Sequence, residues 1–218
     1  MIGGENMERK IIKLPSTSGR VSMKAISGHF ATTHSHVNYY LDMTEVKTNG
    51  RMAEECGYIL AHKFTSSMEI NTIMCLEETQ IIGGFLAQKL SKDGFRGINR
   101  GENIYIVTPE TNKASQMIFR DNIRQLIEGK NVLMLVSSVA TGKTVEQGIE
   151  CINYYKGNCC AVASIFSAVE SVGNVKIHSL FHVNDIPDYC SYNVMDCPKC
   201  KNGQSIEALV NGFGYFKV

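Results

Sequence analysis

Charge of one sign is scarce in this chain: 22 lysines and arginines against 21 aspartates and glutamates leave a formal net charge of +1. No long-range field therefore favours nucleic acid or an anionic membrane, and any anion that binds must be held by local geometry. Long apolar runs are missing too, and none approaches the roughly 18–20 residues of a membrane span. The segment Met1 to Lys10 is polar with scattered charges and lacks the apolar core of a secretion signal. Fixed-period repeats and low-complexity tracts are absent. What remains is 218 residues, enough for one domain with a full core, with or without a small appendage. Hydrophobic residues at 44% and charged residues at 20% are ordinary for a soluble globular protein. Eight cysteines without a signal segment imply a reducing, cytoplasmic setting, where they stay thiols or bind metal.

The first twenty residues mix Gly, Ser, Lys and Pro15 without periodicity and read as a loose arm (1–20). Beyond Arg51 the apolar positions Met52, Cys56, Ile59, Leu60 and Phe64 recur at helical spacing. Ile70–Leu76 reads as a short buried strand, and Ile81–Leu90 as a helix stopped by Asp93-Gly94. Asn103–Val107 is predicted as a strand, and Val132–Val136 as the most apolar one. A helix over Thr144–Tyr155 and strands at Ala161–Phe166 and Ile177–Val183 follow. This alternation predicts a largely parallel α/β sheet with helices on both faces. Ligands in such sheets bind at the carboxyl ends of strands near a switch point, which directs attention to the loop after Val136.

Residues 132–145 read VLMLVSSVATGKTV: strand, polar turn, helix start. A helix beginning near Lys143 leaves its first N–H groups without internal partners, and these donors and the dipole's positive end favour phosphate. Gly142 allows close approach of the backbone, and the Thr141 and Thr144 hydroxyls add donors. The same residues also fit a helix merely capped by Thr141, with no ligand. A nucleotide-binding P-loop needs glycine where Ser137 stands, so that motif fits poorly.

The loop also resembles the PRPP (5-phosphoribosyl 1-pyrophosphate) loop of type I phosphoribosyltransferases, with VLML, Thr141, Gly142, Lys143 and Thr144 in register. Other stretches are similar to orotate phosphoribosyltransferases. They are Gly28-His29-Phe30 with Asn38-Tyr39-Tyr40-Leu41-Asp42, then Ile127-Glu128-Gly129-Lys130, and the Cys197-Pro198-Lys199-Cys200-Lys201-Asn202-Gly203 ending. The resemblance runs from about residue 25 to 205. It implies the type I phosphoribosyltransferase fold, with a small N-terminal hood, a main domain over 21–185 and a Cys-containing tail over 186–218. It implies transfer of a phosphoribosyl group from PRPP to a pyrimidine-type base, with Mg²⁺ and a homodimeric state. PRPP or a nucleoside monophosphate would be held by Ser137, Ser138, Ala140, Thr141, Gly142, Lys143 and Thr144, with the base near Phe30.

The departures bear on mechanism. The family's acidic pair falls at Val136 and Ser137, and Ala140 stands where active relatives have Asp or Thr. The pyrophosphate loop should follow Ile70–Leu76, yet the chain there reads Glu77-Glu78-Thr79-Gln80. Two carboxylates at that point repel pyrophosphate unless Mg²⁺ or a lysine intervenes, or they are only a solvated helix start. The family's Arg-Lys-x-x-Lys cluster is replaced by Thr108-Pro109-Glu110-Thr111-Asn112, with Arg96, Arg100, Lys113 and Arg120 the nearest cations. Lys113 and Glu77 are the catalytic candidates. A chain so altered reads as a transferase or as a non-catalytic sensor of a nucleotide or phosphorylated ligand. Cys197-x-x-Cys200 has the spacing of half a zinc site, which Cys190 and His178 or His182 would complete; a plain thiol pair in a turn is the alternative. Cys159-Cys160 read as buried small hydrophobes. His34-x-His36 could bind metal, but no nearby carboxylate pattern supports it, and His29, His34 and His36 are assigned to the base pocket or a dimer surface.

Overall fold

A computed structural model describes residues 10–16, 18–64, 68–92, 97–112 and 116–218. The chain opens with strands β1 (Ile11–Pro15), β2 (Ser22–Ala31) and β3 (His36–Asp42). Helices α1 (Thr44–Thr48) and α2 (Gly50–Ala61) lead to β4 (Thr72–Cys75), α3 (Gln80–Lys92) and β5 (Tyr105–Val107). A hairpin of β6 (Glu110–Thr111) and β7 (Met117–Ile118) precedes α4 (Asp121–Arg124), β8 (Asn131–Val139) and α5 (Lys143–Tyr154). Strands β9 (Asn158–Ser167), β10 (Ser171–Val172), β11 (Val175–His182) and β12 (Ser191–Tyr192) follow. Helix α6 (Pro198–Lys201) and a hairpin of β13 (Ala208–Asn211) and β14 (Gly214–Lys217) end the order.

The main sheet has the order β10-β11-β9-β8-β4-β5, parallel except for β10. Strand β8 is apolar on both sides, because helices cover both faces. Leu133 and Leu135 share a core with Ile82, Leu86 and Leu90 of α3. Met134 and Val136 face the other way and pack with Val145 and Ile152 of α5. The chain leaves β4 toward β5 and leaves β8 toward β9, so the direction of winding reverses between β4 and β8. That reversal opens a crevice at the carboxyl ends of these two strands.

A second sheet, β12-β3-β2-β13-β14 with β1 on β2, forms the hood. Its own core is Phe30, Val37, Tyr40, Ala208 and Val210. Two sequence expectations change here. Ile11–Pro15, read as part of a loose arm, pairs antiparallel with β2 from Ile11↔Ile26 to Pro15↔Ser22; five residues carry little periodicity of their own. The 186–218 segment, set apart as a tail, returns to the hood: β12 pairs with β3 and β13 runs parallel to β2. The expected strand Val132–Val136 extends to Val139, because Ser138 and Val139 pair with Phe166 and Ser167 of β9. No helix among the described residues is long and apolar enough to cross a membrane.

Candidate functional site

The crevice is bounded on one side by residues 138–145, which carry β8 into the first turn of α5. Gly142 is the residue before α5, with φ 87°, and no side chain caps the helix. The capping reading of Thr141 is therefore not what the fold uses, and the first-turn N–H groups lack intrahelical partners. A Cβ on Gly142 would lie 2.6 Å from Val172 Cγ2, so glycine is required by both backbone and space. Ser138, Ala140, Thr141, Gly142, Lys143 and Thr144 all line a cleft of about 130 Å³. Ser137 lies inside β8, so the chain cannot wrap a triphosphate as a P-loop does.

Across the crevice, β4 ends in a turn whose central residues Glu77 and Glu78 have φ 55° and 63°. Thr79 N–H donates to Leu76 O (3.3 Å) to close it. Two consecutive left-handed residues without glycine hold local strain, about 1–2 kcal/mol each. The contacts that hold them are specific. Glu77 Oε2 accepts from Ser137 N–H (3.2 Å), Ser138 N–H (3.4 Å) and the Ser137 hydroxyl. Lys47, only 5% exposed, donates to Gly212 O and to Glu77 O (3.4 Å) and lies 3.8 Å from Glu78 Oε2. Gly212 leaves the room the Glu77 side chain fills, since a Cβ there would lie 2.1 Å from Glu77 Cδ.

The reversed winding therefore brings a carboxylate to the end of β8, where the sequence carries none. Val136 is buried on the α5 side, so the polar positions at the strand end are Ser137 and Ser138 rather than Val136 and Ser137. Glu77 itself lines the cleft, and its Oε1 has no hydrogen-bond partner among the described residues. The hood closes the cleft with Thr32, Thr33, His34 and Ser35 from the β2–β3 turn, together with Tyr39, Tyr40 and Tyr189. Phe166 and Tyr189 pack with ring centroids 5.1 Å apart and their planes tilted by 59°. Burial pushes the Tyr40 and Tyr189 hydroxyls up to about 12, so both stay neutral donors.

No protein-family model and no curated protein matches the sequence. Solved structures do match. The adenine phosphoribosyltransferase of Trypanosoma brucei, solved with AMP, pyrophosphate and ribose-5-phosphate, aligns with TM-score 0.54 at 14% identity, over 76% of this chain and 78% of that one. The adenine phosphoribosyltransferases of Leishmania donovani and Leishmania tarentolae align with TM-score 0.50 and 14% identity, each over 69% of this chain and over 73% and 80% of theirs. The chain has the type I phosphoribosyltransferase fold.

Within this phosphoribosyltransferase fold the remaining sequence candidates fall in several places. Lys113 and Arg96 lie outside the described residues. Arg120 forms a two-point ion pair with Glu110 (2.8 and 2.6 Å) across the β6–β7 hairpin. Phe30 sits in the hood's own core, edge-on to Tyr40 at 6.2 Å, and is not among the cleft-lining residues. Of the expected metal set Cys190, Cys197 and Cys200, the latter two lie together with His29 and His36, and Cys190 is not in that group. His178 packs edge-on against Phe64 and His182 bonds Ser179 Oγ, so neither reaches the cysteines. Of the three N-terminal histidines only His34 lines the cleft. Lys47 and Gly212 escaped sequence reasoning, since nothing in Thr44–Thr48 or around Asn211 marks them without the fold. The Phe166–Tyr189 pair escaped it too, because its members lie on different elements.

Proposed function

We propose that this protein transfers the phosphoribosyl group of PRPP to a pyrimidine-type base and releases pyrophosphate. The observation that carries the reading is Glu77: a carboxylate from the β4 turn held at the end of β8, beside an uncapped helix N-terminus. The 5-phosphate would be cradled by Ser138 and Ala140–Thr144. Ribose hydroxyls would meet Glu77 Oε1, with Ser137 and Ser138 anchoring the other carboxylate oxygen. Phe166, Tyr189 and Tyr40 form the wall proposed for the base, in place of Phe30.

The donor set fits Mg²⁺, a hard cation that takes one or two carboxylates plus substrate phosphates; Glu77 supplies the carboxylate. Bound there, Mg²⁺ would neutralise charge growing on the leaving pyrophosphate. The protein's own contribution is positioning: it fixes the phosphate and ribose so that C1 faces the base nitrogen, with hood aromatics excluding water. A homodimer and a cytoplasmic location complete the proposal. Light scattering of the purified chain tests the dimer.

Incubation with PRPP, Mg²⁺ and a panel of pyrimidine and purine bases should release pyrophosphate with a pyrimidine. Release only with purines would overturn the base assignment, and none with any base would overturn the reaction. A second reading, a non-catalytic nucleotide sensor, is favoured by Val136, which is buried and offers the ribose nothing. It predicts saturable nucleoside monophosphate binding by calorimetry without Mg²⁺ dependence and without turnover.

A further inference from the structure

The hood contains a second constellation, outside the cleft, that the proposed reaction does not use. His29 lies in β2 where its pairing with β3 is interrupted between Ser27 and Phe30, and His36 opens β3. Cys197 precedes α6 and Cys200 lies within it, 168 residues or more further along the chain than His29. One ligand atom from each lies within 4.8 Å of all the others.

Four of the six edges have the lengths of a coordination tetrahedron, and the other two are within 4.8 Å. With Zn–N of about 2.0–2.1 Å and Zn–S of about 2.3 Å, tetrahedral edges are about 3.4 Å between nitrogens and about 3.6 Å between nitrogen and sulfur. Here His29 Nε2 and His36 Nδ1 are 3.3 Å apart. Three of the four nitrogen–sulfur edges are 3.4 Å (His29 to Cys197), 3.7 Å (His29 to Cys200) and 3.3 Å (His36 to Cys200).

A separate feature orients one ligand. His29 is fully buried, and its Nδ1 lies 2.9 Å from Gln204 O and 3.1 Å from Ser205 O. Carbonyl oxygens only accept, so Nδ1 carries the proton and Nε2 presents its lone pair to the two sulfurs. Backbone carbonyls hold metal-ligating histidines in this tautomer, the outer contact that sets ring orientation and basicity. Around the cysteines, Lys201 N–H donates to Cys197 O and Gly203, at φ 73°, donates to Cys200 O, which folds Cys197–Gly203 into one tight turn.

We propose that His29, His36, Cys197 and Cys200 bind a structural Zn²⁺ ion. Two thiolates and two imidazoles suit zinc, and four protein ligands leave no open position for catalysis. The ion would fasten the C-terminal segment to the β2–β3 hairpin. His29 and His36 bracket in sequence the Thr32–Ser35 turn that roofs the cleft, so the metal fixes that roof. The site rests on this geometry and stands or falls independently of the proposed reaction.

The test uses the full chain, purified with zinc supplied and a reductant present, and measured by elemental analysis. One equivalent of zinc per chain is expected. Replacement by Co²⁺ should give the visible bands of tetrahedral cobalt with a thiolate-to-metal charge-transfer band, a readout that needs no variant to fold. Cys200→Ser should weaken uptake at least tenfold, and Cys190→Ser should leave it unchanged. A folded chain holding only traces of zinc, with no thiolate–cobalt band, overturns the proposal. So does loss of the band on Cys190→Ser with retention on Cys200→Ser.

Discussion

In the proposed site, Glu77 would fill two roles that the family motif assigns to different residues. Its position follows β4, where a pyrophosphate loop is expected, yet its Oε2 is bonded to the end of β8. Glu77→Gln keeps the shape and an acceptor oxygen but removes the charge. Charge-assisted hydrogen bonds contribute about 1.5–3 kcal/mol, so kcat/KM for PRPP should fall by roughly ten- to a hundredfold, measured by pyrophosphate release. An unchanged rate with a normal melting temperature would remove Glu77 from the ribose site. Gly142→Ala tests the phosphate cradle from the other side. Its backbone sits at φ 87° and the new Cβ would press on Val172 Cγ2. Calorimetry should then show PRPP affinity reduced by about tenfold or more, the strain alone amounting to about 1–2 kcal/mol.

Among the elements, the β4–α3 turn is the strained one. Glu78 is an exposed non-glycine residue at φ 63°, and its pairing with Lys47 at 3.8 Å is more than half exposed on the glutamate side. At 3.8 Å, with the carboxylate in solvent and the buried Lys47 keeping its bonds to Gly212 O and Glu77 O, the pair contributes less than the backbone strain. Glu78→Gly should therefore stabilise the protein by up to about 1 kcal/mol, raising the melting temperature by about 2–4 °C for a chain of this size. A lower melting temperature would show that the Lys47 contact outweighs the backbone strain.

Elements with strong apolar patterning were legible in the sequence. The helix expected from Arg51, the helix over Ile81–Leu90 and the strands after Ile70 and Val132 stand within a few residues of their predicted bounds. The hood was harder to read. Its strands β12, β13 and β14 come from the chain's last quarter, and β1 from its start, so their pairing depends on contacts that no local window contains. The same distance hid the histidine–cysteine group. C-x-x-C announced half a site, but its partners lie in β2 and β3, and spacing along the chain pointed to Cys190 instead.

For the whole molecule, pH acts through a half-buried histidine. His178 on β11 packs against Phe64, and burial, then the nearby Lys176 and Lys63, hold its pKa below the usual histidine value. The unfolded chain binds this proton more readily than the folded one. The resulting stability is present above about pH 6.5 and is lost as the pH falls below it. Urea unfolding should therefore give a lower midpoint at about pH 5.5 than at about pH 7.5, and His178→Gln should flatten that slope. An equal slope in the variant would assign the effect elsewhere.

Where the winding reverses between β4 and β8, the proposed phosphoribosyl site joins an uncapped helix start to a carboxylate borrowed from the neighbouring strand. A crystal structure of the protein with ribose 5-phosphate tests it most directly. The 5-phosphate should rest on the backbone N–H groups of Ala140–Thr144, with a ribose hydroxyl within hydrogen-bond distance of Glu77. A phosphate bound away from the start of α5, or a ribose turned from Glu77, would rule this site out.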